Sequence, residues 1–268
     1  MELNNENYHS VEMRKKYCGA SQVKSFMKCE KEALALVNGE IEEKSSDALL
    51  FGSYVDAYFS NELEEFTKKH PEMFNTKTGE LKAAFKTADD VIKAIEEDEN
   101  LMKMLSGQHQ VIMTGEIAGV PFKIKIDSYH PGKYIVDQKI MRDMEPVWIE
   151  RDGMNVKTDF IDAFGYDIQG AIYREIVRQN TGLTLPFILA VTTKEENPDK
   201  ALIRIDDDYL DAALDVVKEL APRYDAIKKG LIKPTGCGKC SVCRKTKKVL
   251  GIQSYKKLFH NDTEEIEY

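Results

Sequence analysis

The chain has 268 residues, 42% of them hydrophobic, and a formal net charge of −8. That is enough apolar material for one core, and no Gly/Ser-rich or Pro-rich linker divides it, so residues 1–268 are expected to form a single domain. No apolar run approaches the ~18 residues of a membrane span, and the first ten residues lack the basic-then-apolar form of a signal peptide. The chain is therefore expected in a reducing cytoplasm, where disulfides are the least expected use of its five cysteines.

Taken in chain order, Ser21 to Val37 reads as a helix with Ser21 as N-cap and apolar positions at Val23, Phe26, Met27 and Leu34. Ala48 to Phe59 reads as a second helix. The Lys/Glu-rich stretch Asn61 to Gly79 is expected to be irregular, with a helix following from about Thr87 to Leu105, so that 57–105 forms a helical elaboration. The sheet is expected to begin with Gln110 to Thr114. Glu116 to Asp127 then contains a tight turn at Ala118-Gly119 and alternates apolar with charged residues. Tyr134 to Ile140 follows the turn-prone His130-Pro131-Gly132 and is β-branched enough for a central strand. Asp159 to Asn180 reads as a long helix, Leu185 to Thr192 and Ala201 to Ile205 as strands, and Asp207 to Lys229 as a helix behind them. This alternation predicts an α/β fold: a mixed central sheet flanked by helices, with an N-terminal helical region.

The chemistry concentrates in Asp127 and in Asp137-Gln138-Lys139. Side chains along a strand alternate faces, so Asp137 and Lys139 share one side. Hard divalent ions prefer oxygen ligands. Asp127, Asp137 and the backbone carbonyl of Gln138 therefore offer part of a shell for Mg²⁺ or Mn²⁺. Lys139 beside such an ion orients or deprotonates a water, or balances charge on a phosphate. The tripeptide spacing alone specifies little, since Glu42 to Lys44 and Glu80 to Lys82 share it.

The whole constellation is more specific. Gly52-Ser53-Tyr54-Val55-Asp56, Lys125-Ile126-Asp127, Asp137-Gln138-Lys139 and Gln169-Gly170-Ala171-Ile172-Tyr173 run in an order that resembles the PD-(D/E)xK nucleases of the RecB type. The likeness is to phage and prophage exonucleases similar to exonuclease VIII, the RecE class. It implies a restriction-endonuclease-like core, Asp127 and Asp137 as metal ligands, Lys139 as the catalytic lysine and Glu116 as an additional acidic contributor. Gln169 and Tyr173 match its Gln-x-x-x-Tyr motif, on one helical face at i, i+4. Where the family usually has a metal-binding histidine this chain has Asp56, a harder ligand that would retune metal preference. The resemblance further implies Mg²⁺- or Mn²⁺-dependent 5′-to-3′ digestion of double-stranded DNA ends for phage-type recombination, a single-strand annealing partner of the RecT kind and a toroidal homo-oligomer. A single-strand nuclease of the CRISPR-adaptation type and a DNA-end-binding protein with a defunct site are the alternatives.

The cysteines form a second motif, Cys237-Gly238-Lys239-Cys240-Ser241-Val242-Cys243 within the segment 236–250, with Cys29 as a remote fourth thiol. Iron-sulfur nucleases of the same superfamily hold a 4Fe-4S cluster with one early and three late cysteines, and the resemblance implies that cluster here. A zinc site and free reduced thiols remain open readings. Cys18 has no evident partner. For a DNA enzyme the net charge of −8 demands local cationic patches; Lys239, Arg244, Lys245, Lys247, Lys248, Lys256 and Lys257 supply one beside the cysteines.

Overall fold

The computed structural model describes residues 2–42, 46–151, 153–249, 251–252 and 254–255; Lys44, Leu250, Lys256 and Lys257 lie outside them. A five-stranded sheet organises the molecule. Its strands are β1 (Gln108–Ile117), β2 (Val120–His130), β3 (Tyr134–Met141), β6 (Phe187–Thr193) and β7 (Lys200–Arg204), side by side in that order. Only β3 and β6 run parallel; the other neighbours are antiparallel, which makes the sheet mixed as the alternation of elements predicts. β4 (Val147–Arg151) and β5 (Met154–Thr158) form a separate hairpin in the β3-to-β6 connection that the sequence reading did not anticipate.

Helices cover both faces. On one side lie α2 (Ala20–Lys28), α3 (Glu30–Asn38), α9 (Tyr166–Thr181) and α10 (Asp207–Lys228); on the other lie α4 (Asp47–Phe59), α6 (Ala88–Glu96) and α7 (Glu99–Leu105). Period-2 alternation along the central strands feeds both layers: Ile135 of β3 packs with the first group and Val136 with the second, as do Leu189 and Ala190 of β6. Each fully buried isoleucine contributes about 2 kcal/mol by leaving water. Gly170 in mid-α9 permits close approach, because a Cβ there would lie 2.6 Å from Phe187 of β6 and 2.9 Å from Leu210 of α10.

Several expected elements are broken where the tertiary structure bends the chain. The helix expected from Ser21 to Val37 is two helices, α2 capped by Gly19 rather than Ser21, and α3, with Cys29 extended between them (φ −165°, ψ 110°). The helix expected from Asp159 divides at Gly165 (φ 62°) into α8 (Phe160–Phe164) and α9; that glycine ends α8 in the left-handed conformation that lacks a steric penalty only without a Cβ. The Thr87-to-Leu105 helix is likewise α6 and α7, with Asp98 capping the second through bonds from the Asn100 and Leu101 amides. The stretch expected to be irregular contains α5 (Leu63–Lys69), held by Glu64–Lys68 and Glu65–Lys69 pairs at i, i+4. The short α1 (Val11–Lys16), with Ser10 as N-cap, is also additional. Ala118 and Gly119 form the expected tight turn, both with positive φ (50° and 76°) as a two-residue hairpin requires.

Candidate active site

Strand register places the acids. The β2–β3 ladder pairs Tyr129 with Ile135 and Ser128 with Val136 and then stops. The next positions in that register are Asp127 and Asp137, so the strands part where the two carboxylates face each other. The Asp127 side chain replaces the missing ladder bond: its Oδ2 accepts from the Gln138 amide at 2.9 Å. On the opposite edge of β2 the ladder with β1 is interrupted between His109–Ser128 and Val111–Ile126. Gln110, facing Asp127 across that gap, adopts a left-handed conformation (φ 52°).

The divergence opens a cleft, and α9 ties its two walls together. Gln169 Nε2 donates to Asp137 Oδ1 at 2.6 Å, and Tyr173 Oη donates to the Lys125 carbonyl of β2 at 2.9 Å. Lys139 Nζ stands 2.5 Å from Asp137 Oδ2 and 5.1 Å from the centre of the Tyr166 ring. Burial alone would lower the Lys139 pKa, but Asp137 and Asp127 reverse this and hold the ammonium above the ordinary lysine value. Beside the two aspartates it stays a cation at pH 7.

Asp56 reaches the same place from α4. It shares a cavity of about 440 Å³ with Asp127, Gln138, Lys139 and Gln169, and its Oδ2 accepts from Gln110 Nε2 at 3.3 Å. It is thus half-buried in the cleft and not exposed on the helix surface. Burial raises the Asp56 pKa, with Lys125 opposing and Asp137 adding. Burial, then Asp137 and Asp56, holds Asp127 well above the usual carboxylate range. Three carboxyls thus converge on few cations: Asp137 Oδ2, almost wholly buried, is met by Lys139 Nζ at 2.5 Å and by no other side-chain donor among the described residues. Such an oxygen-rich set of converging carboxyls fits a hard divalent cation.

A second cavity of about 610 Å³ opens onto Asp127, Asp137 and Lys139, and its walls are cationic: Arg14, Lys24, Lys123 and Lys125, with Tyr8 and His9. Lys123, Lys125 and Asp127 share one face of β2 by its period of two, a signal present in the sequence. Arg14, Lys24, Tyr8 and His9 come from the N-terminal region, and nothing local in the sequence points them here. Tyr8 bridges, its carbonyl accepting from Lys123 Nζ and its ring lying 4.3 Å from that ammonium and 5.6 Å from Lys125 Nζ. Burial, and then the neighbouring Lys139, pulls the Lys24 pKa down to about 8. Burial followed by Lys125, Lys123 and Arg14 lowers His9 to about 4, leaving it neutral at pH 7.

Of the residues singled out in the sequence, Asp56, Asp127, Asp137, Gln138, Lys139, Gln169 and Tyr173 meet around the strand divergence. Glu116 does not. It is exposed at the far end of β1, opposite Pro121, six positions from Asp127 along β2 and hence about 20 Å away at ~3.3 Å per residue. Its amide and carbonyl bond Gln179 of α9 instead. The four expected thiols also meet: the sulfurs of Cys29, Cys237, Cys240 and Cys243 all lie within 4.8 Å of one another, well apart in sequence from the carboxylates. Cys18 is buried apart from them, as expected. In the basic segment beside them Lys239 pairs with Glu150 of β4, while Arg244, Lys245, Lys247 and Lys248 are exposed.

A mixed α/β sheet whose central strands part at two aspartates, with a lysine two residues after the second, is the PD-(D/E)xK nuclease fold. Residues 19–246 match the family described as PDDEXK-like domain of unknown function (DUF3799), and the chain belongs to that family. In structure it is similar to a protein from Eubacterium rectale named "putative exonuclease", with 45% identity, a TM-score of 0.90, and 97% of this chain and 98% of that one covered. No curated protein matches the chain. Among the described residues no helix is long and apolar enough to cross a membrane.

Proposed function

We propose that this protein is a divalent-metal-dependent exonuclease that digests double-stranded DNA ends, from the 5′ strand, to leave single-stranded overhangs for recombination. The observation that carries this reading is the opposed pair Asp127 and Asp137 with Lys139, at the floor of a cleft walled by Arg14, Lys24, Lys123 and Lys125. It answers the net charge of −8: the positive charge a polyanion needs is focused at the acids, while the exterior carries the negative excess.

Asp127, Asp137, Asp56 and the Gln138 carbonyl would hold Mg²⁺ or Mn²⁺, which supplies Lewis-acid activation of water and of the phosphodiester. Gln169 orients Asp137 by bonding Oδ1, while Lys139 pairs with Oδ2. Lys139, held cationic, offsets negative charge that develops on the phosphate oxygens. Lys24, Lys123, Lys125 and Arg14 neutralise flanking phosphates and position the strand. His9, neutral at pH 7, is placed for hydrogen bonding and not for charge.

Fluorescently labelled duplex and single-stranded ends, each with Mg²⁺, Mn²⁺ or chelator, test the proposal. Metal-dependent shortening of duplexes from the 5′ end is the expected result. Cutting confined to single strands would move the assignment to a CRISPR-adaptation type of nuclease, and end binding without cutting would make it a scaffold. The same reading carries a RecT-like annealing partner and a ring-shaped homo-oligomer; light scattering that gives a monomer at assay concentration removes the ring.

A further inference from the structure

The four cysteine sulfurs are set apart by their spacing. Cys29 Sγ lies 3.6 Å from Cys243 Sγ and 3.8 Å from Cys240 Sγ, and no pair among the four exceeds 4.8 Å. One tetrahedral zinc with Zn–S bonds of about 2.3 Å puts its thiolates about 3.8 Å apart, the edge of the tetrahedron. A 4Fe-4S cube holds each thiolate on a different iron at a different corner, which spreads the four sulfurs to on the order of 6 Å. The cage is the size of one ion and too small for the cluster that the superfamily resemblance implies.

We infer that Cys29, Cys237, Cys240 and Cys243 form a mononuclear zinc centre that closes the two ends of the domain on each other. The surroundings are built for thiolates. The Lys239 and Cys240 amides point at Cys237 Sγ (3.4 and 3.3 Å), and the Cys243 amide points at Cys240 Sγ (3.4 Å), so backbone donors answer the negative charge of the ligands. Gly238, left-handed at φ 73°, turns the chain between the first two cysteines. Gly236 leaves room for the third: a Cβ there would sit 2.8 Å from Cys243 Sγ. Binding displaces four thiol protons and leaves a dianionic tetrathiolate.

The fourth ligand is positioned independently of any metal. Cys29 occupies the extended break between α2 and α3, and the next residue, Glu30, clamps the returning chain. Its carboxylate accepts two bonds from Arg223 of α10 (2.7 and 2.9 Å) and two from Thr235 (2.7 Å from the amide, 2.8 Å from the hydroxyl). The Lys31 amide adds a bond to the Thr235 carbonyl. Glu30 therefore delivers the segment that carries the three late cysteines to the residue that carries the early one. This centre does not depend on the nuclease reading, since it shares no ligand with the carboxylate site.

The test is to express and purify the whole chain anaerobically, measure zinc and iron by mass spectrometry and record the visible spectrum. Stoichiometric zinc in a colourless protein is expected, with replacement by Co²⁺ giving the intense visible bands of a tetrahedral thiolate site. Incubation with ferrous iron and sulfide under reducing conditions should leave the zinc in place. Cys237→Ser, at an exposed ligand whose loss spares the core, should weaken zinc affinity by at least about tenfold while the circular dichroism spectrum is retained. About four irons per chain with a broad band near 400 nm, as isolated or after iron and sulfide, would overturn the inference. So would a reduced protein that binds neither metal when zinc is supplied.

Discussion

In the cleft, Asp127 and the Gln138 amide that fixes it are 11 residues apart on neighbouring strands, whereas at the cysteine centre Cys29 and Cys243 are separated by 214 positions. The first is an interruption of a ladder that would form anyway. The second exists only when the ends of the domain have met. The cleft sets converging carboxyls in a buried place and raises the Asp127 and Asp56 pKa values through burial and mutual repulsion, so it works against folding. The cysteine centre, with the Glu30 clamp beside it, joins distant chain and so works for it. Residues of the first kind should govern rate and those of the second stability.

The largest expected effect separates the two. Asp137→Asn keeps the side-chain volume and an acceptor for Gln169, yet removes an anionic ligand; DNA hydrolysis should fall by about 10³-fold, the scale of losing an electrostatic contributor to catalysis, with the melting temperature unchanged or higher. Full activity with excess Mg²⁺ would return Asp137 to a structural role. Cys29→Ser is the converse: loss of the closure should cost about 3 kcal/mol, a fall in melting temperature of at least about 6 °C, with the hydrolysis rate per folded molecule preserved at low temperature. A rate loss matching that of Asp137→Asn, with no thermal shift, would erase the contrast.

Gln169→Ala sharpens the contrast within the cleft. Among the described residues Gln169 hydrogen-bonds Asp137 and no other carboxylate, so its loss should raise the metal concentration at half-maximal rate by about 10- to 100-fold, and the variant should recover most of its rate at high metal. A reduced rate at saturating metal and an unchanged titration would show that Gln169 serves packing alone.

The smallest effect is on pH. Lys24 faces Lys139, Asp137 and Asp167, lies 5.6 Å from the Tyr166 ring centre and donates to the Phe164 carbonyl. With its folded pKa at about 8, below the ordinary lysine value of 10.5, it is charged below pH 8 and loses its charge above. Duplex affinity should therefore weaken as pH rises through 8, and protein stability should gain from this group between 8 and 10.5, where the unfolded chain still carries the proton. Lys123, also lowered to about 8 by burial and then by Lys228 and Arg14, shares the loss. Lys24→Arg should hold affinity several-fold higher than wild type at pH 9, read by fluorescence anisotropy; identical pH profiles would place Lys24 outside the DNA path.

Much of this site was legible because it rests on periodicity. Alternation along Lys123 to Asp127 and along Tyr134 to Ile140, a turn at Ala118-Gly119 and i, i+4 spacing of Gln169 and Tyr173 are local rules that hold before any tertiary contact. They put Asp137 and Lys139 on one strand face and Gln169 and Tyr173 on one helix face; that these belong to one site was implied by the family resemblance of the whole constellation. The resemblance misplaced Glu116, because the β1–β2 hairpin carries its two ends apart and order along the chain says nothing of that distance. The local rules ran helices through Cys29 and Gly165, where periodic apolar residues continue on both sides of a break.

What the sequence by itself determined is the mixed sheet, its strand faces and the side chains those faces bear, since these follow from residue type and a period of two. Only the tertiary structure decided where β2 and β3 part, that Asp56 and Gln110 converge on Asp127, that Arg14, Lys24, Tyr8 and His9 wall the cleft, and that four thiols close to within 4.8 Å. Each of these depends on the packing of segments far apart in the chain, whose relative positions are set by burial of the two helical layers against the sheet and not by the spacing of the residues themselves.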